Sequence, residues 1–472
     1  MAFPTGWARK CKITIPDAKI SGNNTSFPIL LTEANFPTEM LDGGDNSALN
    51  GGGDVVFTED SPGAVQMSLD IVTFVTGGTP DVELYTKRPT LNTAAERDIW
   101  VWYKKAGEAQ PADIAAYGRN SVWSDYEAVY HLNGAEGTDS AGNHNGTLIN
   151  SPTSEDGPYG TAISLNGLNQ RIDLGALIED ALSGVDTLTI QAWVKPTTVG
   201  IDRIISATRV TSSAGHKFWA DAGGSGEGWA SAVATGSIAA AGADNSDATL
   251  NVWQFVTFRY DGAILGVRKD NAGFTNTTKT GLIGDSNTQV SIGGTPNGDY
   301  FAGGLKEVRY RIAVLSDDWL TTAYNNQSDP ATFATAGTPE AVSSGATIAV
   351  NGTSCSHASD SPTQTQAHNF IVNGAALAQT ANSPSSTQTH SGAVNSTNHT
   401  HTANNTSLIQ NQTLPVTDNT HRLISDEAGI FDPTAFTPNL ARSHKATRKN
   451  RTSTPPSSDR TTHPTNTRTL RI

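Results

Sequence analysis

Short runs in which apolar and polar side chains alternate every second residue dominate the first 340 positions of this 472-residue chain. In the first 120, CKITIPDAKI, FPILLTEANF, VQMSLDIVTF, VELYTKRP and IWVWYKKAG combine that period with β-branched and aromatic residues, which predicts strands. Segments such as DGGDNSALNGGGD separate them, and their glycines permit the positive φ that tight turns need. In IWVWYKK, Trp100 and Trp102 share one face while Ile99, Val101 and Tyr103 share the other. Both faces are apolar, so this strand is expected to be covered on each side. Residues 1–120 therefore read as a small β-sandwich module.

Residues 121–340 form a second expected module, with strand and turn signals spaced roughly every 8–12 residues across 126–335, as in a sandwich or jelly roll. TLTIQAWVKP sets Leu188, Ile190, Ala192 and Val194 against Thr189, Gln191, Trp193 and Lys195, and a tryptophan inside a strand points to Trp193 as core. WQFVTFRYDGAILGVRKDNAG predicts two strands joined at Asp261-Gly262, with a further turn at Asp270-Asn271. GLKEVRYRIAVLSDDWLTTAYNNQ predicts a last strand and then one short helix, N-capped by Ser316 with Asp317 and Asp318 in its first turn.

Past residue 340 the pattern changes. Trp and Tyr vanish, Ser, Thr, Asn and Gln dominate, and eight of the eleven histidines lie here. Val350, Val372, Val394 and Val416 recur every 22 residues, and Gln366, Gln388 and Gln410 keep the same step. Residues 341–432 are thus a degenerate array whose units gain stability only by stacking on neighbours. So few large apolar residues could hardly offset the ordering entropy of a single chain, which leaves several chains wound around one axis, a trimer favoured, or disorder. Residues 433–472 read as a basic, disordered tail. From Arg442 onward it has eight Lys/Arg against one acid, Asp459, with contact to a polyanion as the functional alternative.

Composition sharpens this picture. Hydrophobic residues are 36%, charged residues 16%, and there are 45 glycines, a β-rich and turn-rich balance. The formal charge of −14, with its basic tail, makes the rest of the chain strongly acidic and argues against nucleic acid as the main partner. Cys11 and Cys355 supply neither a disulfide framework nor a zinc spacing. No apolar run is long enough for membrane insertion, and MAFPTGWARKCKITI lacks the apolar stretch of a secretion signal, so a soluble chain without an ordinary signal is expected.

GWARKCKITI, ISGNNTSFPILLTE and NGGGDVVFTED together resemble a β-module of unknown function that often precedes a LamG-like domain. VYHLNG, DSAGNHNGT, AISLNG, LTIQAWVKP, WQFVTFRYDG and FAGGLKEVRYRIAVLS resemble that concanavalin A-like lectin/glucanase fold, of LamG or pentraxin subtype. The two resemblances cover about residues 6–335, and the His/Asn/Asp array resembles degenerate repeats of bacteriophage virion proteins. The implied fold is all-β: an N-terminal β-sandwich, a concanavalin A-like jelly roll, then the repeat.

That fold houses both lectins and glucanases, so chemistry is judged at the site. Retaining hydrolysis needs two carboxylates about 5–5.5 Å apart, which one strand supplies as acids at alternate positions. No such run is present. The adjacent pairs Glu59-Asp60, Glu155-Asp156 and Glu179-Asp180 point to opposite faces of any strand, and a non-enzymatic protein is expected.

Three ligand sites are candidates. DSAGNHNGT offers Asp139, Asn143 and Asn145 as oxygen donors to calcium, or as an Asx-turn that merely folds the loop. The resemblance adds Glu307 to that calcium set, although Lys306 stands where a second acid is usual. GHKFWADAGGSGEGW gathers Trp219 and Trp229 with His216, Asp221 and Glu227 in a glycine-rich stretch, suited to stacking and hydrogen-bonding a sugar or to core packing. His399 and His401 share a strand face; two imidazoles are too few for a transition metal, but three chains would bring six to a trimer axis, as phage fibres do with His-x-His.

The function expected is a virion-associated binding protein of a bacteriophage: a tail, neck-fibre or decoration protein whose lectin-like domain holds host cell-surface glycan. Other virion proteins would be its partners, and its location would be virion or extracellular. A secreted or surface bacterial LamG-type adhesin is the alternative.

Overall fold

The computed structural model describes residues 3–342 apart from 94–96, 199–200, 207–213, 222–227, 236–242, 247, 286–288 and 297, and, beyond 342, the backbone of strands between 347 and 448. The chain divides into two units, 1–342 and 343–472. Among the described residues no helix is long and apolar enough to cross a membrane.

The five strands expected in the first 120 residues form as Arg9–Thr14, Asn24–Thr32, Leu69–Val75, Asp81–Leu91 and Asp98–Tyr103. One antiparallel sheet pairs 9–14 with 98–103, and 98–103 with Val56–Thr58. The other runs 24–32, 81–91, 69–75. Ile99, Val101 and Tyr103 are fully buried in the core, and the opposite face is covered as expected. There Lys10 Nζ sits 4.8 Å from the Trp100 ring centre, and the Trp102 indole donates to Thr58 Oγ1 at 2.9 Å.

Two larger antiparallel sheets make the second sandwich. One runs Thr275–Thr278, Ile264–Lys269, Gln254–Tyr260, Leu188–Pro196, Ala302–Arg311, Thr161–Asn166 and Thr153–Asp156, with Ala128–Tyr130 also on 302–311. The other runs Ala243–Ser246, Gly228–Thr235, Ala214–Asp221, Ile201–Ser206, Val290–Ile292, Arg171–Gly175 and Thr147–Ile149. Ile190, Val194, Phe258 and Leu305 from the first sheet meet Phe218, Trp229, Val233 and Ile292 from the second in one dry core. The hairpin at Asp261-Gly262 forms with Gly262 at φ +83°, and the Asp261 carboxylate accepts the Ala263 and Ile264 N–H groups.

The chain then returns to its first module. Thr335–Ala336 and Glu340–Ala341 both pair with 9–14, Ile13 opposite Ala336 and Arg9 opposite Ala341. The second sandwich is therefore inserted between strands of the first sheet. Helix Asp317–Ser328, capped by the Ser316 side chain accepting the Trp319 N–H at 3.1 Å, lies against 24–32. There Asn326 exchanges two hydrogen bonds with the Leu30 backbone, at 2.8 and 2.9 Å. Beneath this helix Trp193 is buried, its indole donating to Gln327 Oε1 at 2.8 Å and its ring stacked on Tyr324. One apolar cluster thus runs from Cys11 and Phe27 to Trp193, Phe255 and Trp319, sealing the outer face of the 188–196 sheet.

Charge is built into this seal. In the 302–311 strand Lys306 lies opposite Trp193 but Arg309 lies opposite Gln191, so Glu307 and Val308 together oppose Ala192. This is a β-bulge, with Glu307 at φ +57°, a conformation few non-glycine residues adopt. The extra residue lets Lys306, Glu307 and Arg309 all meet the first module. Lys306, fully buried, donates to Glu83 Oε2 at 2.8 Å and to the Thr161 carbonyl at 2.8 Å. Lys306 thus departs from the resembled acid-rich strand because its carboxylate partner comes from the preceding module.

In the second unit, parallel strands stack in two ladders. Thr347–Val350, Gln366–Val372, Ser386–Val394 and Leu408–Thr413 form one. Ser354–Ser359, Ala376–Ala381, Asn398–Ala403, Thr420–Ser425 and Thr447–Arg448 form the other. Val350 pairs with Val372 and Val372 with Val394, the 22-residue step read from the sequence. This intrachain stack is a third route to order, beside multi-chain winding and disorder. Of the expected basic tail, only Thr447–Arg448 lies among the described residues.

Removing one partner of a buried ion pair strands the other charge, at about 3–5 kcal/mol. Lys306→Met is expected to lose that much in urea unfolding, while Glu83→Leu combined with Lys306→Met recovers most of it. All nine tryptophans precede residue 340, so their fluorescence follows the first unit. A single-variant loss below about 1 kcal/mol would show that the pair contributes no more than a surface contact.

Candidate functional site

Three side chains beside this bulge have the look of a metal centre. Glu83, His131 and Glu307 are all buried and offer ligand atoms within 4.8 Å of one another. Both His131 nitrogens and both Glu307 oxygens are already committed, however, and Glu83 gives one oxygen to Lys306. His131 Nδ1 lies 2.8 Å from Glu307 Oε2 and Nε2 lies 2.9 Å from Asp70 Oδ2, so each ring nitrogen faces a carboxylate. Burial alone would discharge this imidazole, but Glu307 and Asp70 outweigh it and push its pKa up to about 10. Burial likewise opposes ionisation of Glu307, yet Arg309 and His131 hold its carboxyl well below the usual range. The Arg309 guanidinium donates to Glu307 Oε1 at 2.7 Å, and the Tyr85 hydroxyl donates to Oε2 at 2.9 Å. Asp70, Glu83 and Glu307 thus face His131, Lys306 and Arg309, three acids against three cations. With each His131 nitrogen facing a carboxylate, the cluster is an ionic clamp between modules. Sequence reading passed over His131, Asp70 and Glu83. The signal was Lys306-Glu307, opposite charges side by side in an apolar strand.

Of the expected calcium set, Asp139, Asn143 and Asn145 share one loop, while Glu307 faces His131 and Arg309. Asp139 is fully buried and accepts four backbone N–H groups: Val129 and Ala141 on Oδ1, Asn143 and His144 on Oδ2, at 2.8–3.0 Å. Asn145 Oδ1 accepts the Asp139 N–H at 2.9 Å, and Asn143 Nδ2 donates to the Glu127 carbonyl at 3.3 Å. Glu307 belongs to the clamp. These residues fold the loop, and the carboxylate lone pairs a cation would need are taken.

The expected sugar loop is a hairpin, with Trp219 opposite Ala230 and Ala220 opposite Trp229. Alternation therefore sends the two indoles to opposite faces. Trp229 is fully buried, its N–H donating to Gln254 Oε1 at 3.3 Å, and so is no platform. His216 is buried near Phe258 and Tyr310, where burial holds it neutral with a pKa down to about 3. Trp219 is half-buried on the outward face, with Lys217 Nζ 5.6 Å from its ring centre. Small residues, Ala230 and Ala232, adjoin it across the hairpin. Asp221 closes its strand with a side chain outside the described ones, and Glu227 lies outside the described residues.

His399 and His401 lie on the 398–403 strand, and their side chains are outside the described ones. The register sets His399 between Leu377 and His421, and His401 between Gln379 and Leu423. A histidine thus recurs opposite His399, one repeat along, which the reading of the pair in isolation missed.

Residues 167–321 match the family model described as the concanavalin A-like lectin/glucanases superfamily. No curated protein matches the chain. Among solved structures, domain 4 of AbnA, a GH43 extracellular arabinanase from Geobacillus stearothermophilus in complex with arabinotriose, is similar at 18% identity. That match covers 42% of this chain and 97% of the domain, with TM-score 0.35. The binding domain of botulinum neurotoxin DC in complex with SialylT is 11% identical over 42% of this chain and 51% of that one, with TM-score 0.32. The Ruminococcus gnavus IT-sialidase CBM40 bound to alpha2,3 sialyllactose is 14% identical over 34% and 95%, with TM-score 0.29.

The two buried histidines tilt stability in opposite directions. His131 keeps its proton in the folded chain up to about pH 10 but loses it near 6.5 when unfolded, so its stabilisation fades as pH rises through that window. His216 stays neutral down to about pH 3, so its contribution fades as pH falls below about 6.5. The melting temperature of the first unit is expected to peak near neutrality and fall on both sides, and His216→Leu to flatten the acid limb. A flat alkaline limb up to pH 9.5, measured by tryptophan fluorescence, would show that His131 is not held as a cation.

Proposed function

We propose that this protein binds glycan without turning it over, and that the contact surface is the outward face of the 214–235 hairpin with Trp219 as its stacking platform. The position of Trp219 carries the reading: a half-buried indole beside a lysine, with alanines alongside, in a concanavalin A-like domain whose other sheet face is sealed. Sugar rings stack their C–H faces on indole and take hydrogen bonds from polar neighbours. The commitment of Asp139 and Glu307 to internal partners supports binding over hydrolysis. On a glycan array, Trp219→Ala is expected to lower the signal about tenfold, with and without chelator. A wild-type chain that binds no glycan, a variant that binds equally, or release of cleaved sugar would sink the proposal.

The proposed setting is a bacteriophage virion, as a tail, neck-fibre or decoration protein directed at host-surface glycan. The 22-residue parallel stack supports this, because it gives the glycan-binding unit a repetitive partner of the kind a fibre uses. A homotrimer follows from that setting, and multi-angle light scattering of the full chain is expected to give three times the chain mass. A monomer would remove the fibre reading and leave the bacterial adhesin.

A further inference from the structure

A half-open cleft of about 380 Å³ lies between the first module and the inserted sandwich, away from the Trp219 face. Its size falls within the range of small-molecule sites. Asp70 lines it while only 2% exposed, and its Oδ2 takes both the Trp123 indole at 2.6 Å and His131 at 2.9 Å. Oδ1 is then the oxygen Asp70 has left to offer. Arg119, from the segment joining the modules, also lines the cleft; it pairs with Asp113 at 2.8 Å through one terminal nitrogen, while its Nε is buried with no partner. Buried polar atoms left unmatched are uncommon and call for a partner.

We infer that this cleft is a second binding site, for a neutral polyhydroxylated ligand of the size of one sugar residue. The charges on its walls already balance in pairs, Arg119 with Asp113 and His131 with Asp70, so a charged ligand would face no counter-charge beyond Glu136. What the walls offer instead is alternation. The exposed part of the Arg119 guanidinium donates, Asp70 and Glu136 accept, and the hydroxyls of Thr138 and Ser140 do either. A ring of hydroxyls, each both donor and acceptor, meets such a wall. Leu69, Ile71 and Pro111 give its C–H edges an apolar flank. Because the clamp holds both walls, the cleft is formed before any ligand arrives, which lowers the ordering cost of binding.

Isothermal titration with the methyl glycosides of glucose, galactose and mannose tests this on the full chain. At least one is expected to bind at millimolar concentration. Glu136→Gln and, separately, Thr138→Val at an exposed position, each made in the Trp219→Ala background so that only the cleft is read, are expected to weaken it about tenfold. Thermal melting equal to that of the parent chain confirms that a weakened variant is folded. Binding of none of the three in that background, or binding there that survives both cleft variants, would overturn the assignment. Because the cleft and the hairpin are altered separately, failure of one site leaves the other standing.

Discussion

The buried clamp at Glu307 governs how everything else in the first unit is arranged. A carboxylate in an apolar interior is tolerable only when cations and hydrogen bonds meet it on every side. Here Arg309, His131 and the Tyr85 hydroxyl do so, drawn from both β-modules. Lys306 and Glu83, on the same two strands as Glu307 and Tyr85, complete the balance. Geometry requires the bulge: in a regular strand Lys306 and Glu307 would point to opposite faces, and one charge would enter the dry core between the large sheets. The positive φ of Glu307 is the local strain accepted to avoid that.

Sealing one sheet face decides where a ligand can go. With the outer side of the 188–196 sheet under helix 317–328 and the first module, Trp193 serves packing, as its partners Gln327 and Tyr324 show. Insertion of one sandwich between strands of the other also means that the modules fold and melt together, since 9–14 lacks its edge partners until 335–341 returns. The outward face of the 214–235 hairpin, carried on such a fused body, keeps its orientation relative to the first module.

Period-two alternation made the strands legible, because each strand has one face in a dry core. Trp193, the Asp261-Gly262 hairpin and the Ser316 cap all appear as read, each resting on contacts within a few residues or on one strand's own pattern. Tertiary features left a weaker trace. Trp219 and Trp229 looked like neighbours in one loop, but a hairpin between them puts them on opposite faces. Asp139 looked like a ligand because oxygen donors cluster the same way whether a cation or backbone N–H groups will satisfy them. Lys306 read as a departure from pattern, and only the module packed against it explains why a cation stands there.

The repeat follows a different logic. Without large apolar side chains it has little burial to set against chain entropy, so its order must come from saturating backbone hydrogen bonds. Parallel in-register stacking does this and imposes a strict consequence: a residue that recurs every 22 positions meets its own kind across the ladder. Gln366, Gln388 and Gln410 form such a row, as do His368 with His390 and His399 with His421. The periodicity that composition alone reads as low complexity is thus the register itself. Of the two histidines that looked like an isolated pair, His399 belongs to such a row with His421, while His401 stands between Gln379 and Leu423.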